Sequence, residues 1–472
     1  MLVQQGHKVI WWSSDFSHLT KSKRKPCPDT DGFSVRLIET PPYAKNISFA
    51  RLKNHRQFAQ GFYQEAMSGL ENGELKAPNR IVVSLPPLGV AEQAFRIRDA
   101  VNRKAKDRGQ RSELNQRAPI THQSSSIRHQ ASQAQPACQV IVDIKDAWPE
   151  TFYRAIPKPL RQALGPILLK PMHRSARRAY QGADKISAVG QSYLDLAKQY
   201  LKRSRVPLAP DATSITAKPL HLCYHGTDLE RFSAGRAIES GKWKVESKVT
   251  PNSKLSTLHC VENGPESATK PQPPLQAVYL GSMSSGYDLE TIIEVAERWK
   301  KEGLFPFQIH FAGDGPKRST LEARCKETDS QILNQNSLYH KTSERVIFHG
   351  YIGKDAVTKL LLQSDLALVP NRPASWVACP AKICELTAAG LPILSCLGGE
   401  LKQLLDTWNA GSNYNEGNAE SLDIALKEYA DNRRLLKGQG DNAKKMARAL
   451  FDRNQTYYKL TQFILKEELT LT

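Results

Sequence analysis

The sequence predicts an α/β protein of two Rossmann-like, doubly wound domains, and three observations carry that reading. The chain has 472 residues, more than a single hydrophobic core usually serves. Apolar strand-like runs alternate with helical stretches over residues 1–230 and again over 276–450. Strands spaced by helices give a parallel sheet covered on both faces. The two regions are separated by residues 233–275, rich in Ser, Lys, Pro and Thr and without apolar periodicity. This segment reads as a polar linker or insertion.

In the first region the expected strands are Lys8–Trp12, Arg80–Ser84, Gln139–Asp143 and Lys185–Val189, with helices over Ser48–Gly69 and Gly190–Lys202. Residues 103–137 carry many Gln, Ser, Arg and Lys and almost no large apolar side chains. Such a segment buries too little surface to offset its ordering entropy and is expected to be a disordered insertion. In the second region Ala277–Leu280, Gln308–Ala312, Arg345–His349, Leu366–Val369 and Ile393–Cys396 read as strands. Residues 451–472 read as a C-terminal helix that packs back on the first domain.

Hydrophobic residues make up 40% and charged residues 24% of the chain, as in ordinary globular proteins. Lys and Arg number 66 against 47 for Asp and Glu, a net charge of +19. That excess calls for an anionic partner: nucleic acid, acidic lipid or a phosphorylated substrate. Nucleic acid is disfavoured, because the basic segment 103–137 offers only His122 and His129 as stacking platforms. The 8 cysteines show no paired metal-ligand spacing, which fits a reducing, cytoplasmic setting. No apolar run is long enough to span a bilayer, so membrane contact is expected to be peripheral.

Pro380–Pro392 is the most informative stretch, reading Pro-Ala-Lys-Ile-Cys-Glu-Leu-Thr-Ala-Ala-Gly-Leu-Pro. A helix starting at Ala381 would put Lys382 and Glu385 on one face, since residues three apart are helix neighbours. The strands before and after it make this a crossover unit, and open α/β sheets bind ligands beyond the carboxyl ends of their strands. Lys382 would then meet phosphate and Glu385 a ribose. A solvated Lys/Glu pair on an ordinary crossover helix is the alternative, and the residues alone leave both open. The Gly-rich turns Gly281–Gly286 and Gly398–Glu400 would offer close backbone amides or serve only as tight connections.

Several further stretches resemble a known family: Gly6–His18 with Lys21 and Arg24, Val142–Glu150, Tyr224–Phe232, Gly281–Glu290 and Phe311–Pro316. Together with Pro380–Pro392 they are similar, in order and spacing, to bacterial glycosyltransferases of the GT-B architecture. The resemblance is to glycosyltransferase family 4, in the group acting in O-antigen, capsule and exopolysaccharide assembly. It implies two Rossmann-like domains facing a cleft, with a nucleotide-sugar donor on the second domain and a lipid-linked or oligosaccharide acceptor on the first. It implies that Glu385 binds the ribose of the donor; Gly281, Ser282, Gly286, Gly313, Pro380, Gly399 and Glu400, in the Gly-rich turns and at the helix start, are the other donor-site candidates. It also implies retention of configuration, no metal and no cofactor.

The match is incomplete. The family's first glutamate falls at Val377, and its phosphate-binding Arg and Lys fall near Ser282 and Ser285. Lys382 is then left as the main positive charge for a departing diphosphate. The chain also begins where the family's first helix runs into its second strand. Either the start is misassigned or part of the acceptor cleft is lacking.

In the first domain, Asp146 belongs to a cluster with Asp143, Lys145 and Glu150 that would handle acceptor or proton, or else cap a helix and form a salt-bridge network around Trp148. His18 has a side chain suited to proton transfer and is the other catalytic candidate. Residues 160–180 mix apolar side chains with Arg161, Lys170, Arg174, Arg177 and Arg178. They suit an anionic membrane surface or the solvated face of a helix pair. A sugar-nucleotide epimerase and a nucleotide-sugar-binding protein without turnover are the rival functions.

Overall fold

The structure, a computed structural model, describes residues 1–18, 20–44, 48–116, 137–202, 218–233, 274–303, 306–333 and 345–466. The first unit opens with β1 (Val9–Ser14), a short antiparallel pair β2 (Phe16–Ser17) and β3 (Ser22–Lys23), and β4 (Phe33–Ile38). It continues through α1 (Phe49–Glu71), β5 (Arg80–Leu85), α2 (Gly89–Gln116), β6 (Gln139–Ile144), α3 (Arg161–Leu168), α4 (Lys170–Gly182), β7 (Lys185–Ala188), α5 (Gln191–Lys202) and β8 (Leu220–Leu222). Its strands divide into a parallel pair β1-β4 and a parallel sheet β5-β6-β7-β8.

Burial follows the sequence periods. Every residue of Val140–Ile144 is buried, as both faces of β6 are covered. In α1, Ser48 accepts from Arg51 N at 3.2 Å as the N-cap, and Ala59, Phe62, Ala66 and Gly69 form the inward stripe.

The second unit contains β9 (Leu275–Leu280), α6 (Leu289–Glu302), β10 (Phe307–Ala312), α7 (Arg318–Leu333), β11 (Val346–Gly350), α8 (Lys354–Gln363) and β12 (Leu366–Val369). Then come α9 (Ile383–Ala388), β13 (Ile393–Ser395), α10 (Gly399–Trp408), β14 (Gly411–Asn413), α11 (Ala419–Asp431), α12 (Arg433–Met446) and α13 (Arg453–Leu465). All six strands are parallel, in the order β11-β10-β9-β12-β13-β14. The chain leaves β9 toward one edge and returns at β12 to build toward the other. The switch point therefore lies at the carboxyl ends of β9 and β12, where such sheets bind ligands.

The units are tied at two places. Helix α13 lies against the first unit: Arg80 Nε donates to Ile464 O at 3.1 Å, Lys185 Nζ to Phe463 O at 3.0 Å, and His221 stacks on Phe463. A buried ammonium on the last carbonyls of a helix satisfies groups that have no partner within it. The second tie, through Glu400, is described with the site.

One expectation changes. Residues 103–116 are helical, as the continuation of α2, rather than a disordered insertion. Arg, Lys, Ala, Gln and Glu are strong helix formers, and local propensity sustains a helix here without an apolar stripe. Residues 117–136 and 234–273, the remainder of the two polar segments, lie outside the described residues.

Candidate functional site

The site is built around α9. Pro380 O accepts from Ile383 N at 3.0 Å, and Lys382 is the N-cap, so the helix starts two residues later than expected and has 6 residues. Ile383, Cys384, Leu386 and Thr387 face the core. Gly390, at φ +76, then turns the chain into β13. Glu385 alone in this turn is left facing away from the core.

Lys382 and Glu385 do not pair with each other. The Lys382 ammonium donates to Leu280 O at 2.6 Å, which brings it to the carboxyl end of β9 at the switch point. Burial lowers its pKa from 10.5 to about 8, against a smaller opposing pull from Glu385. Glu385 Oε1 accepts from Arg231 Nη1 at 3.3 Å. Arg231 also reaches Lys354 O and Thr358 Oγ1, at 3.1 and 2.5 Å.

Both side chains line one cavity of about 280 Å³, together with Ala381, Cys384, His225, Gly226, Thr227 and Tyr457. The last four lie on the crossing between the units and on α13. Gly226 N donates to Tyr457 OH at 3.4 Å, and Cys384 Sγ to His225 O at 2.9 Å. His225 is held below the usual imidazole range by burial and then by the Lys145 cation, which outweighs the opposing Asp143 carboxylate. Lys145 is itself paired with Asp143 at 2.7 Å. The cavity thus sits between units, with a cation, a carboxylate, an imidazole and a phenol at its wall.

Of the glycines, Gly281 follows β9, and a Cβ there would lie 2.7 Å from Lys382 Nζ and clash with Tyr279 OH. Only glycine lets both polar ends come this close to the backbone. Gly313, at φ +133, faces Gly281 O so closely that a Cβ would overlap it. Ser282 is exposed on the same turn, its carbonyl accepting from Tyr279 OH at 2.8 Å, and Gly286 O accepts from Arg372 N at 3.0 Å. Gly399 is exposed with open space around its Cα, at φ +63.

Of the sequence candidates only Lys382 and Glu385 line the cavity, and three of the others are held in other surroundings. Glu400 is buried and committed to the first unit, accepting from Gln191 N, Ser192 N and Ser192 Oγ, each at 2.8 Å, and from Tyr224 OH at 2.6 Å. With its oxygens occupied by four donors, the carboxylate caps α5 and locks the two units. Asp146 accepts from Trp148 Nε1 and Thr151 Oγ1, both at 3.2 Å, and so closes its own turn. The pKa of His18 is lowered first by burial of the ring and then by the cations Arg51, Lys21 and Arg24, and neither it nor Asp146 lines the cavity. Arg231, His225 and Tyr457 received no role from the sequence. The stretch Tyr224–Phe232 was the one signal that contained two of them.

Among the described residues, no cluster of three His, Cys, Asp or Glu side chains is arranged to hold a metal ion. Nor is any helix among them long and apolar enough to cross a membrane.

Comparison with known proteins places this fold in a class. Residues 274–432, which hold β9 to α11, match the family described as Glycosyl transferases group 1. The whole fold is similar to sucrose-phosphate synthase from Thermosynechococcus elongatus, at TM-score 0.58 and 13% identity over 98% of this chain and 89% of that one. It is also similar to WaaG, a glycosyltransferase involved in lipopolysaccharide biosynthesis, at TM-score 0.52 and 13% identity over 99% of this chain and 93% of that one. HepE of Anabaena, in complex with UDP and glucose, aligns at TM-score 0.50 and 10% identity over 92% of this chain and 87% of that one. Curated protein sequences give no match. The second unit is a glycosyl transferases group 1 domain, and the chain is a glycosyltransferase of GT-B architecture.

Proposed function

We propose that this glycosyltransferase moves a sugar from a nucleotide-sugar donor to a lipid-linked or saccharide acceptor in the assembly of a cell-surface polysaccharide, with retention of configuration and without metal or cofactor. The observation that carries the reading is that Lys382 and Glu385 line one cavity, with the Lys382 ammonium held on Leu280 O at the carboxyl end of β9.

The division of labour follows from charge. Glycosyl transfer leaves negative charge on the departing diphosphate, and a cation held in a low-dielectric wall stabilises it more strongly than water does. Lys382 fills that role, and an adjoining diphosphate would raise its depressed pKa and keep it protonated. Glu385, one turn on, accepts hydrogen bonds from the ribose hydroxyls. The exposed turns at Ser282 and Gly399 contribute amides in place of the Arg and Lys that the family pattern has near Ser282 and Ser285. Gly286, Gly313 and Pro380 set the backbone of those turns. The acceptor enters from the first unit beside His225 and Lys145, and the enzyme works in the cytoplasm at the inner face of the membrane.

A thermal-shift screen of UDP, GDP, ADP and CDP tests this reading, since a ligand that binds only the native state raises the midpoint. At least one nucleoside diphosphate is expected to stabilise the wild type and to lose that effect in Glu385→Ala. No shift with any of the four overturns the reading.

A further inference from the structure

Helix α3 carries its apolar side chains on the wrong side for a soluble protein. Leu160, just before it, and Leu164, Ile167 and Leu168 are 47%, 40%, 67% and 61% exposed. Their spacing of four, seven and eight residues places them on one stripe of the helix. The opposite side meets the core, where a Cβ at Gly165 would run into the Tyr153 ring. The inward face is therefore used, and the outward stripe is an additional apolar surface.

Helix α4 repeats the same spacing with the opposite chemistry. Lys170, Arg174, Arg177 and Arg178 stand at intervals of four, seven and eight, and all are exposed. Among the described residues, Arg178 is the one of these four with an acidic partner, Glu92 Oε1 at 2.9 Å. No Asp or Glu occurs between Glu150 and Asp184. The surface thus consists of a protruding apolar ridge and an adjoining cationic stripe without acidic groups of its own.

We infer that α3 and α4 form a docking surface for an anionic lipid bilayer. The apolar ridge enters the boundary between headgroups and acyl chains while the cations of α4 meet lipid phosphates. Charge complementarity selects this occupant, because a neutral bilayer would leave the α4 cations unmatched. The surface is separate from the donor cavity, and the inference does not depend on which nucleotide the cavity takes.

Co-sedimentation of the full chain with vesicles tests it, comparing phosphatidylcholine alone with phosphatidylcholine containing phosphatidylglycerol. The expected result is about tenfold stronger partition onto the anionic vesicles, weakened by high salt. Ile167→Ser with Leu168→Ser should abolish most of it, and Arg174→Glu with Arg177→Glu should remove the preference for anionic lipid. Circular dichroism of each variant reports the fold, and the charge reversal, confined to exposed side chains, carries the test if the apolar variant misfolds. Equal partition onto both vesicle types, or binding undiminished in both variants, overturns the inference. So does a wild-type dimer that Ile167→Ser with Leu168→Ser converts to monomer, which would assign the ridge to a second copy of the chain.

Discussion

Arg231 Nη1 stands 3.3 Å from Glu385 Oε1, and the same guanidinium is anchored to Lys354 O and Thr358 Oγ1 at the start of α8. The glutamate expected to grip a ribose is therefore oriented by a residue from the crossing between units. The fixed fork of an arginine suits this task better than a lysine. Arg231→Ala frees the carboxylate and removes a cation near the diphosphate. We expect it to weaken nucleoside diphosphate binding by about tenfold, on the order of 1 kcal/mol, measured by calorimetry. The variant should also lose discrimination between ribose and 2′-deoxyribose ligands, which a purely structural role for Arg231 does not predict.

Lys382→Ala is expected to lower turnover by about tenfold or more, because it removes charge stabilisation of the leaving diphosphate. Steady-state rates with the donor found by thermal shift provide the measurement. An unchanged rate would free Lys382 from any part in the reaction.

The same lysine has a pH signature. Its folded pKa, about 8, lies below the ordinary 10.5. Between those values the unfolded chain holds a proton that the folded chain does not, so stability from this group is present above pH 10.5 and is lost as pH falls to about 8. Wild-type stability should rise between pH 8 and 10.5 more steeply than that of Lys382→Met, by a total on the order of 1–3 kcal/mol. Nucleoside diphosphate affinity should move the other way, falling above pH 8 in the wild type but not in Lys382→Met.

The sequence made some of this arrangement legible and hid the rest for identifiable reasons. That Lys382 and Glu385 stand close together was readable, because a three-residue spacing at a helix start is a local signal. Arg231 was not, because it precedes Glu385 by 154 residues and only the fold brings them together. Glu400 misled the reading because its Gly-Gly-Glu turn resembles a ligand loop. Its true partners are the main-chain amides of Gln191 and Ser192, which have no sequence signature. β14, Gly411–Asn413, was missed because none of its residues is apolar. The helical run of residues 103–116 was missed because lack of burial was read as lack of structure.

Glu400→Ala should destabilise the whole protein, since it leaves two helix-terminal amides and the Tyr224 hydroxyl without their acceptor in a buried interface. The expected loss is about 2–4 kcal/mol in urea unfolding. Glu400→Gln, which keeps one acceptor oxygen, should lose less.

Gly281→Ala should displace both the Tyr279 hydroxyl and the Lys382 ammonium, which the added methyl would approach to 2.4 and 2.7 Å. Its turnover should approach that of Lys382→Ala, and the double variant should add little to either single change.

Calorimetric titration of the full chain with the best nucleoside diphosphate, for wild type, Lys382→Ala, Glu385→Ala and the double variant, examines the central claim most directly. If both side chains grip one ligand in the cavity between the units, each single change weakens binding about tenfold or more, and the double variant shows no measurable binding. Wild-type affinity retained in both single variants would mean that the nucleotide binds elsewhere.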